Sequence, residues 1–324
     1  VRKWLRLTRA HTAPLEAVPA VVGALLATNG HVTSGVVIWG IFGILYHLTG
    51  YGMNSVTDWV AGYDKNDPNK QHHPLNSGST SPVVALGVVT ALFMATIALA
   101  MFQSPTGPTL LLLVVMIVGG FAYNMVGKTL RYVKWLPISI AHTTVFVLPY
   151  VASGGDVSSL PFQLSTLAVF IWVVFQIAIS GEVKDLSQDE ENLLQDMGCT
   201  VLGDGYNFTY TAVTLAYSLR VAMWTCAIAA TSVVFNNMVA STLASVFALL
   251  SVVLTNLMME TGWRSREGRL RCMALIEACS LGVLLSMSIP SIGAYLPTCL
   301  FVISAAWVLS LNMVEWGTWV APRV

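Results

Sequence analysis

Charged residues are scarce in this sequence. Asp, Glu, Lys and Arg make up 10% of its 324 residues, where a soluble protein carries about a quarter. That shortage excludes an ordinary water-soluble globule. Sixteen basic residues balance sixteen acidic ones, so the formal net charge is zero and the total points to no partner of either sign. No basic face with interleaved aromatics is visible, so nucleic-acid binding is not expected. The five cysteines, Cys199, Cys226, Cys272, Cys279 and Cys299, form no C-x-x-C pair, and most lie in apolar runs. They read as small buried hydrophobes, and neither a disulfide framework nor a zinc site is expected. Low-complexity tracts are lacking, as is any stretch with the character of a soluble domain. The basic start (Arg2, Lys3, Arg6, Arg9) runs into a full-length apolar segment with no small-residue cleavage site, which argues against a cleaved leader.

What fills the chain instead is apolar: 55% of residues are hydrophobic, and the mean hydropathy is +0.70. A membrane-crossing helix needs about 20 predominantly apolar residues. Ten runs qualify: 13–29, 35–57, 80–103, 108–126, 134–153, 160–182, 208–235, 238–259, 271–290 and 294–315. Prolines weaken the first and fifth. The expected fold class is all-α, a polytopic membrane bundle of nine to ten transmembrane helices, and residues 1–324 read as one membrane-embedded domain. Charge placement tests the count, because cytoplasmic loops are enriched in Lys and Arg. With ten spans and a cytoplasmic N-terminus, every basic residue except Arg220 falls on the cytoplasmic side, and Arg220 lies inside a span.

Two acidic clusters stand out, and this topology puts both at the cytoplasmic face. In the first, Asn54 and Asp58 are four residues apart and share a helix face, while Gly62 offers a break that turns Asp64 back toward them. In the second, Glu182, Asp185 and Asp189 are spaced three and four apart and form one acidic stripe if the helix continues. Each cluster alone is compatible with a solvated helix end. Two of them at equivalent helix ends, four spans apart, point to a shared divalent cation, since neighbouring carboxylates repel unless neutralised. Amide and carboxylate oxygens are hard ligands suited to Mg²⁺ shared with substrate phosphates. Cations lie on the same side. Lys70, His72 and His73 follow the first cluster, Lys184 sits within the second, and Lys128 and Arg131 come just after Tyr123. They are candidate diphosphate contacts, although topology alone accounts for charges in such loops.

At these residues the sequence resembles the UbiA superfamily of intramembrane prenyltransferases. The resemblance rests on Asn54-x-x-x-Asp58, Gly62-x-Asp64, the His-Pro-Leu-Asn-Ser-Gly78 loop end, Tyr123…Lys128, and Asp185-x-x-x-Asp189 preceded by Glu182. It spans about residues 1–260. Ser55 stands where an Asp is usual, and His73 where an arginine is usual. The resemblance implies a helical bundle around a central cavity, with a lateral opening to lipid. Asn54, Asp58 and Asp64 would form one metal–diphosphate wall, and Glu182, Asp185 and Asp189 the other. Lys128 and Tyr123 would lie beside the diphosphate and the forming cation. By position alone, Lys70, His73, Arg131 and Lys184 are further candidate diphosphate contacts.

The implied activity is Mg²⁺-dependent transfer of a polyprenyl group from a prenyl diphosphate to an aromatic or lipid acceptor, through an allylic cation kept from water in an apolar chamber. Membrane lipid is the surrounding partner. A terpene cyclase on the same scaffold is the alternative. A transporter fits less well, because the carboxylates gather at one surface. Among residues inside spans, Arg220 and Glu277 are expected to pair, with Arg220 as a candidate for an acidic acceptor. Glu16 is a candidate acceptor contact, and His142 a candidate base or a hydrogen-bonded packing residue.

Overall fold

The computed structural model describes residues 1–62, 70–127, 132–186, 192–202, 205–260 and 266–319. Of the expected site residues, Asp64, Lys128, Arg131 and Asp189 lie outside these ranges.

Ten helices among the described residues are long and apolar enough to cross a membrane, in close register with the ten runs seen in the sequence. A short helix α1 (Arg2–Leu7) and a 3-10 turn (Ala10–Thr12) lead into α2 (Pro14–Ala27). There follow α3 (Ser34–Ala61), α4 (Pro82–Gln103), α5 (Gly107–Val126), α6 (Trp135–Ala152) and α7 (Leu160–Phe175). A π-helical turn, Gln176–Gly181, joins α7 to α8 (Glu182–Asp185); α9 (Leu193–Asp196) and a two-stranded antiparallel ribbon, β1 (Thr200–Leu202) and β2 (Gly205–Asn207), come next. The chain then runs through α10 (Tyr210–Ile228), with its own π-helical end Ala229–Val234, α11 (Met238–Met259), α12 (Arg266–Ile292) and α13 (Tyr295–Trp316).

Local sequence explains where these helices begin. A short polar residue precedes each of five apolar runs, and its side chain accepts the amide hydrogen of the residue three further on. The residues are Thr33, Ser81, Thr106, Thr209 and Asn237. Each satisfies an amide the helix itself cannot, which matters more in lipid than in water. The prolines expected to weaken two spans do not interrupt them: α2 continues through Pro19 and α6 through Pro149. Neighbouring helices in a bundle compensate for the lost hydrogen bond.

Packing is set by small residues. A Cβ added to Gly23 of α2 would stand 2.2 Å from the Phe146 carbonyl oxygen of α6, and one on Gly43 of α3 would stand 2.6 Å from Ala17 Cα of α2. The three backbones therefore approach as closely as glycine permits, the usual way helices associate where lipid removes the hydrophobic drive. Gly52 likewise receives Val89 of α4. Gly50, one turn from Asn54, is different: nothing lies within 4 Å of where its Cβ would be. It shares a face of α3 with Tyr46, Asn54 and Asp58, while the outward-facing Val37 and Ile41 are 56% and 45% exposed. The bundle thus keeps open space against the inward face of α3. α13 closes over the N-terminal segment, where Trp307 Nε1 donates to the Ala10 carbonyl at 2.8 Å and His11 Nδ1 meets Glu315 Oε2 at 3.0 Å.

Candidate functional site

The first cluster sits on the last turns of α3. Asn54 Nδ2 donates to Asp58 Oδ2 at 2.9 Å, so the four-residue spacing does put both on one face. Gly62 ends the helix in the left-handed region, with φ +91°. Ser55 faces the other way, its hydroxyl donating to the Leu7 carbonyl at 2.9 Å and pinning α3 to α1. The loop between α3 and α4 is tied down nearby. Leu75 packs with Leu7, Val56 and Ala85, His72 stands edge-on to Trp316, and Asn76 Nδ2 donates to the Lys70 carbonyl at 2.9 Å. Lys70 and His73 are thereby held on the same end of the bundle as Asp58.

The second cluster is described as far as Leu186, so the expected stripe to Asp189 runs outside the described residues. Glu182 and Asp185 lie on α8, and a π-helical turn precedes it. The extra residue in that turn rotates Glu182 and Asp185 about the helix axis, and such bulges often accompany functional sites. Glu182 is buried, 2% exposed, and its carboxylate is engaged on both sides. Lys134 pairs with Oε1, and the Leu193 amide donates to Oε2 at 2.7 Å. Asn192 Nδ2 donates to the Glu182 carbonyl at 2.8 Å, so the start of α9 is tied back onto this residue. Asp185 is more open, 30% exposed at its side chain, with Lys184 Nζ at 3.7 Å.

Tyr123, on the last turn of α5, links the clusters. Its phenol lies in the electrostatic field of Asp58 first, then of Asp185, Tyr51 and Glu182. The two carboxylates therefore both lie within electrostatic reach of one aromatic residue at one end of the bundle. Among the described residues, no three His, Cys, Asp or Glu side chains are grouped as a complete metal cage. The donors on the inward face are instead one amide and two carboxylates. This fits Mg²⁺, which binds through one or two carboxylates and takes its remaining ligands from water and substrate phosphate.

Sequence reasoning accounts for Lys134 only as a topology charge. Its position at the first turn of the fifth span carries no sign that it reaches Glu182, some 48 residues on. Arg220 and Glu277, expected to pair, share a buried cluster. Glu277 supplies the opposite charge and also accepts from Trp172 Nε1 at 2.5 Å, while Arg220 Nη1 donates to Ser280 Oγ at 2.7 Å and its guanidinium stacks on Phe175 at 3.3 Å.

These features define a class: an intramembrane helical bundle with carboxylates, an amide and a tyrosine gathered at one end. The chain belongs to the UbiA prenyltransferase family, whose model matches residues 17–269. Its fold is similar to that of a structure described for digeranylgeranylglyceryl phosphate synthase in membranes. The identity is 16%, with 90% of this chain and 98% of that one covered and a TM-score of 0.63. It is similar also to an apo UbiA homologue from Aeropyrum pernix K1, at 20% identity, 84% and 94% coverage and a TM-score of 0.63. A third similar structure is a UbiA homologue from Archaeoglobus fulgidus bound to GPP and Mg²⁺, at 17% identity, 87% and 99% coverage and a TM-score of 0.62. No curated protein matches the chain.

Proposed function

We propose that this protein transfers a polyprenyl group from a prenyl diphosphate to an acceptor inside the membrane, with Asp58 and Asp185 as the principal ligands of Mg²⁺ and the diphosphate. The observation that carries this reading is that Asp58 and Asp185, from distant parts of the chain, both act electrostatically on Tyr123 at one end of the bundle. Support also comes from the Archaeoglobus fulgidus homologue, bound to GPP and Mg²⁺. Asn54, held against Asp58, adds an amide oxygen to the first wall. Lys70, His73 and Lys184, with Lys128, Arg131, Asp64 and Asp189 outside the described residues, complete the proposed diphosphate surroundings. Glu182 serves in this reading as an anchor for Lys134 and Leu193, because both its oxygens are engaged.

Mg²⁺, when bound, supplies Lewis-acid stabilisation of the charge that develops on the departing diphosphate. The chain's own groups do the rest. Cationic side chains draw the diphosphate to the polar end, and apolar helix faces keep water from the allylic cation. Tyr123, Tyr51 and Tyr46 are the candidate rings that can stabilise a passing cation. All 324 residues act as one unit, and the site end faces the cytoplasm, consistent with fifteen of the sixteen basic residues falling on that side.

The test is purified protein with geranylgeranyl diphosphate, Mg²⁺ and a panel of aromatic and lipid acceptors, read by mass spectrometry and diphosphate release. Asp58→Ala and Asp185→Ala are each expected to lose roughly 100-fold or more of the release rate, the usual cost of removing one preorganised electrostatic group. Full activity in both variants overturns the assignment. A cyclised hydrocarbon formed without acceptor identifies the cyclase reaction instead.

A further inference from the structure

About 16 Å below Asp58, counted along α3 at about 1.5 Å per residue, lies a second polar cluster that diphosphate chemistry does not use. Glu16 of α2, 3% exposed, is gripped by two histidines. His47 Nδ1 pairs with its Oε2, and His142 Nδ1 stands 3.0 Å from its Oε1. The hydrogen positions are set by the partners. His47 Nε2 lies 3.0 Å from the Arg9 carbonyl, which can only accept, so that nitrogen carries a hydrogen. One further proton is shared between His47 Nδ1 and Glu16, and that pair is neutral wherever the proton sits. Glu16 Oε1 then accepts from His142 Nδ1–H. His142 Nε2 is left with its lone pair, and it makes no hydrogen bond among the described residues.

That lone pair faces inward. On α6 the lipid-facing stripe is marked by Leu136 and Ile140, each 39% exposed, and His142 lies roughly 150° around the helix from it. Its immediate neighbours Ala141, Thr143, Thr144 and Val145 are all buried, yet its own side chain is 16% exposed. The accessible part therefore borders the interior, beside Tyr46, whose ring stands edge-on at 5.4 Å. Gly50, one turn along α3 from Tyr46 toward Asn54, faces open space. Along α3, Tyr46 and Gly50 thus lie between His142 and the carboxylate end.

We propose that His142, oriented by Glu16, binds and deprotonates a hydroxyl group of the acceptor; this rests on the prenyl-transfer reading above. His142 lies about 12 Å further into the bundle than Lys134, which pairs with Glu182. A hydrogen bond of about 3 Å at one end and a near-attack approach of about 3 Å at the other leave room for one or two fused rings between them. The favoured acceptor is therefore a hydroxylated aromatic. In the step, the C1–oxygen bond of the prenyl diphosphate breaks and its electron pair leaves with diphosphate. The hydroxyl proton passes to His142 Nε2, and the electron pair so freed, delocalised through the ring, forms the bond to C1 at a conjugated ring carbon. The proton on that carbon then passes to the departed diphosphate, and the oxygen takes its own proton back from His142.

The experiment compares wild type with His142→Asn, whose amide still offers Glu16 a donor near the position of Nδ1–H, and with His142→Ala. The probes are geranylgeranyl diphosphate, Mg²⁺ and 1-naphthols whose hydroxyl acidity is graded by methoxy and nitro substituents. Transfer, naphthol binding and diphosphate release into water are measured separately. Expected is a loss of transfer of roughly 100-fold in His142→Asn for the weakly acidic naphthols, the usual scale of a general base, with recovery as the naphthol becomes more acidic. Diphosphate release without acceptor is expected within a few-fold of wild type in both variants, which also reports that they fold. Equal loss across all naphthols, or none, overturns the base. So does a wild-type protein that releases diphosphate but neither binds nor prenylates any naphthol. A wild-type protein that releases no diphosphate overturns instead the prenyl-transfer reading itself.

Discussion

Replacing Lys134 with Met isolates the role of Glu182. The change keeps the length of the side chain and removes its charge. Glu182, 2% exposed, then keeps the 2.7 Å bond from the Leu193 amide. Breaking a buried ion pair from one side costs about 3–5 kcal/mol, because the abandoned charge stays out of water. One hydrogen bond survives here, and the Lys134 side chain is 15% exposed, so water has some access. The lower end, about 3 kcal/mol, is expected, roughly a 150-fold shift in the unfolding equilibrium. Glu182→Gln in the same chain removes the stranded charge while still accepting from Leu193. The double variant is expected within about 1 kcal/mol of wild type, about 2 kcal/mol less destabilised than Lys134→Met alone. Denaturant unfolding in detergent micelles measures all four corners of the cycle. A single variant within about 0.5 kcal/mol of wild type refutes the argument from burial. The same double variant separates anchor from metal ligand. Diphosphate release within tenfold of wild type fits an anchor, whereas a loss of roughly 100-fold or more makes Glu182 part of the metal wall.

Two glycines predict opposite outcomes. Gly23→Ala drives a Cβ into the Phe146 carbonyl, 2.2 Å away, and is expected to cost about 1–3 kcal/mol as α2 and α6 are forced apart, seen as a lower unfolding midpoint. A Cβ at Gly50 meets no atom within 4 Å, so Gly50→Leu is expected to leave stability within about 0.5 kcal/mol of wild type while filling the interior. Its readout is a product profile displaced toward shorter prenyl donors or smaller acceptors, and an unchanged profile refutes the placement of open space there.

Much of this protein was determined by the sequence alone. A lipid environment leaves the backbone no partner except itself, so helix number and limits follow from runs of apolar residues and the short polar residues that cap them. Asn54 and Asp58 were paired by helical period for the same reason: a four-residue spacing fixes a shared face whatever surrounds it. Other features needed the third dimension. The π-helical turn before Glu182 changes which way that carboxylate points, and its hydrogen-bond geometry depends on the neighbouring helices rather than on residue type. Lys134 reaches Glu182, and Glu16 is held between His47 and His142, because close backbone contacts at Gly23 and Gly43 bring α2, α3 and α6 together. Those contacts join residues tens of positions apart, and hydropathy, which records each residue's preference for lipid, carries no information about which charged groups will meet.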